Sequence, residues 1–224
     1  MTKEEKKAAI KRRKQSLNAG QRFYAVIKQI LSFIIAVPAL ILCLPLFAVV
    51  AILIKLDDHG PVIFKQLRTG KYGQNFYVYK FRTMKVENDA LNFGVENQYT
   101  KIGKFLRSTS IDELPQLVNI VRGEMCFIGP RPWMVEYFQL MNAQQRHRVD
   151  VTPGISGLAQ AKGRNDLTIF EKIDYDLEYI KHYSFTEDIK VIFLSIEAVL
   201  SQAGADAGKS VIQEDLDNLK SQQF

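Results

Sequence analysis

The sequence predicts an α+β protein, mainly helical, that attaches to a membrane from one side. Three patterns predict this class: a long uncharged segment near the N-terminus, two short β-type runs separated by a glycine-containing turn, and helical amphipathic spacing in much of the remainder. A chain of 224 residues is also long enough to bury a sizeable core. We therefore expect a monotopic protein with an N-terminal re-entrant membrane helix, a small β-hairpin and interfacial amphipathic helices.

The membrane segment lies between residues 29 and 54, where no side chain is charged and Leu, Ile, Val, Ala and Phe dominate. As one helix it would be about 39 Å long, whereas a bilayer hydrocarbon core is about 30 Å thick. Pro38 and Pro45 each remove a backbone donor and favour a kink. Basic residues flank both ends, and the positive-inside rule keeps such flanks in the cytoplasm. The sequence thus favours a re-entrant helix broken near Pro45, and a kinked spanning helix is the alternative.

Composition divides the chain into four parts. Residues 1–28 form a basic N-terminal segment, residues 29–55 the re-entrant membrane helix, residues 56–203 a domain that carries the candidate catalytic residues, and residues 204–224 a polar C-terminal tail. The same rule for basic flanks places the N-terminal segment and the catalytic domain in the cytoplasm.

The formal net charge is +6, and basic side chains concentrate in the N-terminal segment and between residues 65 and 85. Such clusters suit anionic lipid, nucleic acid or a phosphorylated substrate, or are simply solvated. They lie beside Gly, Pro and paired acids rather than among aromatic side chains, so we expect no nucleic-acid partner. The two cysteines, Cys43 and Cys126, make no disulfide framework and suit a reducing compartment.

Two β-type runs, residues 62–64 and 76–79, predict a hairpin whose turn contains Gly70 and Gly73. Near the C-terminus, Ser184 and Glu187 predict a capping box before an apolar helix over residues 189–200. The apolar face of that helix is either core or membrane-surface contact. The predicted hairpin carries the polar side chains Gln66, Arg68, Lys80 and Arg82.

The most informative segment is Ser-Ile-Asp-Glu-Leu-Pro-Gln-Leu at residues 110–117. Pro115 is tolerated only in the first turn of a helix, so a helix begins close to Asp112 and Glu113. Either Asp112 is the N-cap, or Ser110 and Glu113 form a capping box. Both arrangements put a carboxylate beside free backbone N–H groups, where phosphates also bind. A capped helix with no further role is the simpler interpretation of this segment alone.

Two later segments are candidates for ligand contact. Prolines on both sides of Arg131 restrict its backbone, which would aim its guanidinium at a phosphate or a carboxylate. The alternative is a rigid turn with an incidental arginine. A loop containing Gly163, Arg164 and Asn165 would let the backbone approach a ligand closely. The three histidines are too scattered to indicate a metal site or a catalytic triad.

Taken together, these segments resemble the bacterial sugar transferase family, the monotopic phosphoglycosyl transferases, in its small, minimal form. The resemblance covers roughly residues 20–200 and depends on several motifs in the same order. One departure concerns the membrane helix, because the family often has Ser-Pro at its break and this chain has Leu44-Pro45. The matching motifs are GPVIFKQLRTG at 60–70, YKFRTM at 79–84, LR at 106–107, DELPQL at 112–117, GEM at 123–125, GPRP at 129–132, PGISGLAQ at 153–160 and GRN at 163–165.

The resemblance implies transfer of a sugar-1-phosphate from a UDP-sugar to a polyprenol (undecaprenyl) phosphate, as the first membrane step of surface polysaccharide or glycoconjugate assembly. The enzyme would lie at the bacterial inner membrane with its catalytic domain in the cytoplasm, in contact with membrane lipid. Self-association into a homo-oligomer is left open. The alternatives are a Mg²⁺-dependent membrane-bound phosphohydrolase and a membrane-anchored protein that binds anionic ligands.

The resemblance also implies residue roles. Asp112 would attack the β-phosphorus to form a covalent phosphosugar intermediate, and Glu113 would orient it or handle a proton. A Mg²⁺ ion held by Asp112 and Glu113 would neutralise the diphosphate. The remaining expected ligand contacts are phosphate binding by Arg107, Arg131 and Arg82, and a substrate-binding loop at Gly163, Arg164 and Asn165.

Overall fold

The longest element of the fold is helix α1 (Ala19–Asp57). The computed structural model describes residues 16–85, 99–163, 166–200 and 212–221. Asn18 caps α1, accepting a hydrogen bond from the Gln21 backbone at 2.8 Å while the Gln21 side chain accepts one from the Asn18 backbone at 3.1 Å. The helix therefore begins ten residues before the uncharged segment. It continues through Pro38 and Pro45, so any change of direction at Pro45 is a bend within one helix and not an interruption.

One face of α1 packs against the rest of the protein along the whole helix. Successive packed residues are three or four positions apart, so no gap between them exceeds about one helical turn. A membrane-spanning helix would need about 20 residues free of the domain, and α1 has no such stretch. The packed residues are Tyr24, Lys28, Ser32, Ala36, Leu40, Cys43, Phe47, Val50 and Ile54.

The opposite face of α1 is apolar and exposed, and it includes Phe23, Ile30, Ile34, Leu42, Leu44, Ile52 and Leu56. By length and composition, α1 is the one helix in the described part of the chain that could cross a membrane. Its continuous packing on one face and its apolar surface on the other instead fit attachment from one side. This arrangement agrees with the predicted monotopic class.

Charged contacts fix both ends of α1. Near its start, Lys28 is buried and its Nζ lies 2.6 Å from Asp188 Oδ2. At its end, Arg82 donates to the Asp58 carboxylate at 2.8 Å and to the Asp58 carbonyl at 2.5 Å. The Asp57 carboxylate accepts from the Ile102 backbone at 2.8 Å. Because these charged contacts form only when α1 lies at one position along the domain, they fix that position.

The predicted hairpin is confirmed. Strands β1 (Ile63–Thr69) and β2 (Asn75–Phe81) pair antiparallel across a short 3₁₀ turn. A third strand, named β4 by chain order (Trp133–Met134), pairs with the other edge of β1, with Arg68 opposite Met134. The sheet order is therefore β2-β1-β4.

A second, two-stranded sheet pairs β3 (Cys126–Ile128) with β5 (Gly154–Ser156) in parallel. Glycine is required where these strands meet, because a Cβ on Gly154 would lie 2.2 Å from the Gly129 backbone nitrogen. The same contact fixes the start of the Pro130–Pro132 segment.

Short helices complete the domain and confirm its mainly helical α+β class. They are α2 (Lys101–Ser108), α3 (Leu117–Val121), α4 (Val135–Leu140), α5 (Leu158–Gly163), α6 (Ile169–Lys181), α7 (Phe185–Leu200) and α8 (Ile212–Ser221), with 3₁₀ segments at Ile111–Gln116 and Gln145–Val149.

Helix α7 begins at Phe185, four residues before the predicted apolar helix. The Ser184 hydroxyl accepts from the Glu187 backbone at 3.2 Å, as half of the predicted capping box requires. Val191 packs in the core, whereas Ile189, Ile192, Phe193 and Ile196 are exposed. Most of the predicted apolar face is therefore surface, as an interfacial helix requires.

The packing of α1 predicts that both of its flanks lie on one side of the membrane. In a parent with Cys43→Ala and Cys126→Ala, single cysteines at Thr2 and Lys71 should resist an impermeant maleimide added outside intact cells. Both should react once the cells are permeabilised. Reaction of the Thr2 site alone in intact cells would establish a spanning helix. Replacing Pro45 with Ala or Leu should increase labelling at that site, because no serine precedes the proline to help bend the helix.

Candidate active site

The segment that carries Asp112 and Glu113 begins with a left-handed residue. Ser110 has φ 58°, and the 3₁₀ helix Ile111–Gln116 follows it directly. The Ser110 side chain makes no capping hydrogen bond, and Asp112 lies inside the first turn. Both predicted caps are therefore wrong. An N-cap needs an extended backbone, and the turn that ends α2 leads into the next helical turn without one.

Glu113 is held by two cations from different parts of the fold. Its Oε1 accepts from Lys80 Nζ of β2 at 2.5 Å and from Arg131 Nη2 at 2.7 Å. Burial alone would raise the pKa of Glu113, but Arg131 and Lys80 outweigh it and hold the pKa well below its usual range. The Glu113 carboxylate in turn raises the pKa of Arg131. Glu113 and Arg131 therefore stay ionised at neutral pH, whereas burial and the charge of Arg131 lower the pKa of Lys80 against the opposing charges of Glu113 and Asp112.

Asp112, the neighbouring carboxylate, has no such partner. Its side chain is buried, yet no donor in the described part of the chain forms a hydrogen bond or ion pair with it. Burial raises the pKa of Asp112; the Glu113 charge adds to that rise, and the positive charges of Lys80, Arg107 and Arg131 oppose it. A buried, unpaired carboxylate in a cationic setting is a candidate nucleophile or metal ligand.

The backbone around Arg131 is fixed by hydrogen bonds to three consecutive carbonyls. The Pro130 carbonyl accepts from the Gly154 backbone at 3.1 Å, and the Arg131 carbonyl accepts from Arg148 Nη2 at 2.7 Å. The Pro132 carbonyl accepts from Arg68 Nη1 at 3.4 Å. The segment thus directs the Arg131 guanidinium at a carboxylate, one of the two targets that the flanking prolines predict.

Arg148, which holds the Arg131 carbonyl, belongs to a buried ion pair. Its Nε and Nη2 lie 3.0 and 2.5 Å from Asp176 Oδ2. Its guanidinium also stacks over Trp133, with 4.0 Å between the guanidinium carbon and the ring centroid. Both charged side chains are 2% exposed. The position of Arg131 therefore depends on α6, which supplies Asp176.

Of the other predicted site residues, some lie near Asp112 and others do not. Arg107 lies over the Tyr99 ring at 5.1 Å, and its charge reaches Asp112. Arg82 is instead bound to Asp58 at the end of α1. Gly163 ends α5, whereas Arg164 and Asn165 lie outside the described residues. The structure thus brings together Asp112, Glu113, Arg107 and Arg131 from the predicted set.

Lys80 is not among the predicted site residues, although the sequence carries a signal for it. Side chains alternate between the two faces of a strand, so Phe76, Val78 and Lys80 share one face of β2. Phe76 and Val78 pack in the core. A lysine that continues a core-facing row is unusual and indicates a charged partner inside.

The donor set for a cation is small. No group of three or more His, Cys, Asp or Glu side chains that could hold a metal occurs among the described residues. Mg²⁺, however, commonly takes only one or two carboxylates and fills its shell with water and substrate phosphates. Asp112 fits that pattern, as does Glu113 Oε2, which makes no hydrogen bond within the described ranges.

Comparison with protein families gives one decisive match. The family model described as "Bacterial sugar transferase" matches residues 23–202, which include α1, the hairpin and the Asp112 segment. The chain belongs to the bacterial sugar transferase family. The resemblance seen in the sequence is thereby confirmed.

Individual relatives extend this sugar transferase match. The chain is 39% identical over 171 residues to "Uncharacterized sugar transferase EpsL" of Bacillus subtilis, covering 75% of this chain and 84% of the relative. It is 41% identical over 185 residues to a UDP-glucose:undecaprenyl-phosphate glucose-1-phosphate transferase of Escherichia coli, covering 76% and 39%. It is 39% identical over 194 residues to a UDP-N-acetylgalactosamine-undecaprenyl-phosphate N-acetylgalactosaminephosphotransferase of Aeromonas hydrophila, covering 81% and 45%. The chain thus spans less than half the length of the last two relatives.

The electrostatics of the site predict how Asp112 titrates. Replacing Lys80 with Met removes a positive charge that favours the ionised carboxylate, so the pKa of Asp112 should rise further. Carboxyl ¹³C NMR of aspartate-labelled protein, assigned with Asp112→Asn, measures this change. Lys80→Arg should retain the charge, and Lys65→Met, on the other face of the hairpin, should leave the pKa unchanged. An Asp112 pKa that falls or does not change in Lys80→Met would show that the Lys80 charge does not favour the ionised Asp112 carboxylate.

Proposed function

We propose that this protein is a phosphoglycosyl transferase that moves a sugar-1-phosphate from a UDP-sugar to a polyprenol phosphate. The observation that carries the proposal is the contrast between two adjacent carboxylates in a sugar transferase. Glu113 is held by Lys80 and Arg131, whereas Asp112 beside it has no hydrogen-bond or ion-pair partner among the described residues. The names of the Escherichia coli and Aeromonas hydrophila relatives support the substrate classes, since they specify UDP-sugar donors and undecaprenyl phosphate as acceptor.

In the proposed first step, an Asp112 carboxylate oxygen attacks the β-phosphorus of the UDP-sugar. A bond forms between that oxygen and the phosphorus, and the bond from the phosphorus to the bridging oxygen of the α-phosphate breaks. UMP leaves with the electron pair, and the sugar phosphate stays on Asp112 as an acyl phosphate. Arg131 and Arg107 are the proposed phosphate contacts, since both lie in the charge environment of Asp112.

In the proposed second step, an oxygen of the polyprenol phosphate attacks the phosphorus of the acyl phosphate. The bond to Asp112 breaks, which releases the polyprenol diphosphosugar and restores the carboxylate. The fold supports an acceptor that stays in the membrane. Helix α3 directly follows the Asp112 segment, and its Leu117 and Ile120 belong to the same hydrophobic cluster as Ala36 of α1.

We assign Glu113 to orientation rather than to proton transfer. A carboxylate whose pKa is held well below its usual range is a weak base. Its contacts with Lys80 and Arg131 instead join β2 to the Pro130–Pro132 segment. Neither proposed step needs a proton at the reacting phosphorus, since carboxylate and phosphate oxygens attack as anions.

We further propose Mg²⁺ as the cofactor, held by Asp112 and by Glu113 Oε2 together with the substrate diphosphate. When bound, the ion would neutralise the diphosphate charge that otherwise repels a carboxylate nucleophile. The proposed location is the cytoplasmic face of the bacterial inner membrane, supported by the basic residues on both sides of α1. There the reaction would begin assembly of a membrane-linked glycan.

The role of Asp112 predicts a sharp loss of activity without a loss of stability. Asp112→Asn should reduce kcat by about a thousandfold or more, because an amide cannot form the acyl phosphate. The melting temperature should hardly change, because the Asp112 carboxylate has no partner to lose within the described residues. Turnover of UDP-glucose and UDP-N-acetylgalactosamine with undecaprenyl phosphate, measured alongside thermal unfolding in detergent, checks both statements. An Asn variant that kept half the wild-type rate would remove Asp112 from the role of nucleophile.

The two-step order predicts covalent chemistry before the acceptor binds. Enzyme mixed with labelled UDP-sugar and Mg²⁺, without polyprenol phosphate, should release a burst of UMP up to one equivalent. The protein should retain the sugar-phosphate label, and initial rates against both substrates should give parallel double-reciprocal lines. Removing Mg²⁺ with a chelator should abolish the burst and the label.

Three other outcomes of that experiment have distinct meanings. Intersecting lines without a burst or labelled protein would indicate direct attack by the lipid phosphate, and Asp112 would then be a metal ligand. Continuous release of free sugar phosphate without polyprenol phosphate would favour a phosphohydrolase. Binding of anionic ligands without any turnover would favour a membrane-anchored binding protein.

A further inference from the structure

Arg68 is a cation of the sheet that neither step of the proposed mechanism uses. It lies on β1 opposite Phe76 of β2 and Met134 of β4. Alternation along paired strands puts Arg68 on the same face of the sheet as Val78 and Lys80. Because Lys80 binds Glu113 from that face, the face borders the candidate active site.

The contacts of Arg68 are neutral. Its Nη1 donates to the Pro132 carbonyl at 3.4 Å, and its Nη2 donates to the Gln66 side-chain oxygen. The Gln66 amide in turn lies 3.3 Å from Met134 Sδ. Within the described residues no carboxylate forms an ion pair with Arg68. A guanidinium has five N–H donors, so these contacts orient it and leave donors available.

Arg68 is partly buried and lies near charges of both signs. Burial lowers the pKa of Arg68 to about 10 and the nearby charge of Arg131 lowers it too, whereas Tyr137, Glu113 and Glu136 act to raise it. A partly buried cation without a counter-ion is costly, and a bound anion removes that cost. In this region four cationic side chains, Arg68, Lys80, Arg107 and Arg131, face three carboxylates, Asp112, Glu113 and Glu136.

We propose that Arg68 is a further substrate-binding residue, whose guanidinium binds the diphosphate of the nucleotide sugar together with Arg131, and that Gln66 holds this guanidinium in place. The proposal rests on the proposed function, because it takes the UDP-sugar as the ligand. A planar guanidinium matches two phosphate oxygens at once, which a lysine in the same place does not. Gln66 is a positioning residue, since it acts only through Arg68.

The direct test is to measure binding of UDP to the full-length protein, in detergent with Mg²⁺, by isothermal titration calorimetry. Arg68→Gln should raise the dissociation constant for UDP about tenfold or more, the size expected for a lost charge-assisted hydrogen bond. Arg68→Lys should fall between wild type and Arg68→Gln. Lys65→Gln is the matched control: it removes a positive charge from the same strand, but from the face where Lys65 lies over the Tyr79 ring at 5.8 Å. It should bind UDP as wild type does.

A double-mutant cycle separates direct binding from an effect through Arg131. If Arg68 contacts the diphosphate, Arg68→Gln should still weaken UDP binding about tenfold in an Arg131→Gln background. Arg68 could instead act only by holding the Pro132 carbonyl and so positioning Arg131. Arg68→Gln should then cause no further loss of UDP affinity in the Arg131→Gln background, and that result would overturn the proposal. Gln66→Ala leaves both arginines in place and should weaken UDP binding about threefold. This variant still tests the proposal if Arg68→Gln does not fold.

Wild-type turnover distinguishes failure of this inference from failure of the proposed function. If wild type transfers sugar phosphate, and Arg68→Gln and Gln66→Ala both bind UDP as tightly as Lys65→Gln, then the assignment of Arg68 is wrong and the transferase stands. If wild type neither binds UDP nor turns over a UDP-sugar, the proposed function fails and Arg68 loses its ligand with it.

Discussion

The site depends on one carboxylate oxygen, Glu113 Oε1, which accepts from Lys80 and Arg131 together. These cations come from the hairpin and from the proline-flanked turn, so a single atom joins parts of the fold that are distant in sequence. The half-buried setting strengthens both contacts, because water screens them less than at an open surface. It also makes them interdependent, since removing Glu113 would leave two neighbouring cations facing each other. Within the described part of the chain Asp112 has no hydrogen-bond or ion-pair partner, since Lys80 and Arg131 are bound to its neighbour.

Membrane attachment follows the same principle of using few charged contacts to fix a large apolar surface. Apolar packing alone would let α1 slide along the domain, since Leu, Ile and Val contacts are similar in many registers. The Lys28–Asp188 pair at one end and the Arg82–Asp58 pair at the other each permit one register. With α1 so placed, its packed stripe faces the core and its other apolar residues face outward. Ala36 then lies against α3, immediately beyond the Asp112 segment.

The sequence predicted features that are local or periodic, and it missed those that depend on distant partners. The hairpin, the apolar helix and the adjacent carboxylates are readable from spacing. The partner of Arg82 could not be predicted this way. Asp58 lies 24 residues earlier in the chain, and it meets Arg82 only because of where α1 ends. β4 has two residues and its pairing with β1 is non-local. The two predicted helix caps are wrong for a different reason: nothing in Ser-Ile-Asp-Glu indicates that Ser110 adopts a left-handed backbone.

The two acids show why neighbouring residues of like chemistry can take different roles. Burial raises the pKa of both, but the nearest cations bind only Glu113, so its pKa ends below the usual range and that of Asp112 above it. In the proposed reaction, an incoming diphosphate would meet the positive charge of Lys80 and Arg131, while the Asp112 carboxylate would face the phosphorus. If instead both acids were ion-paired, a nucleophile would first have to break a salt bridge, which adds to the barrier. Pairing one acid and leaving the other without an ion pair avoids that cost, and the adjacency of Asp112 and Glu113 places both on one turn of backbone.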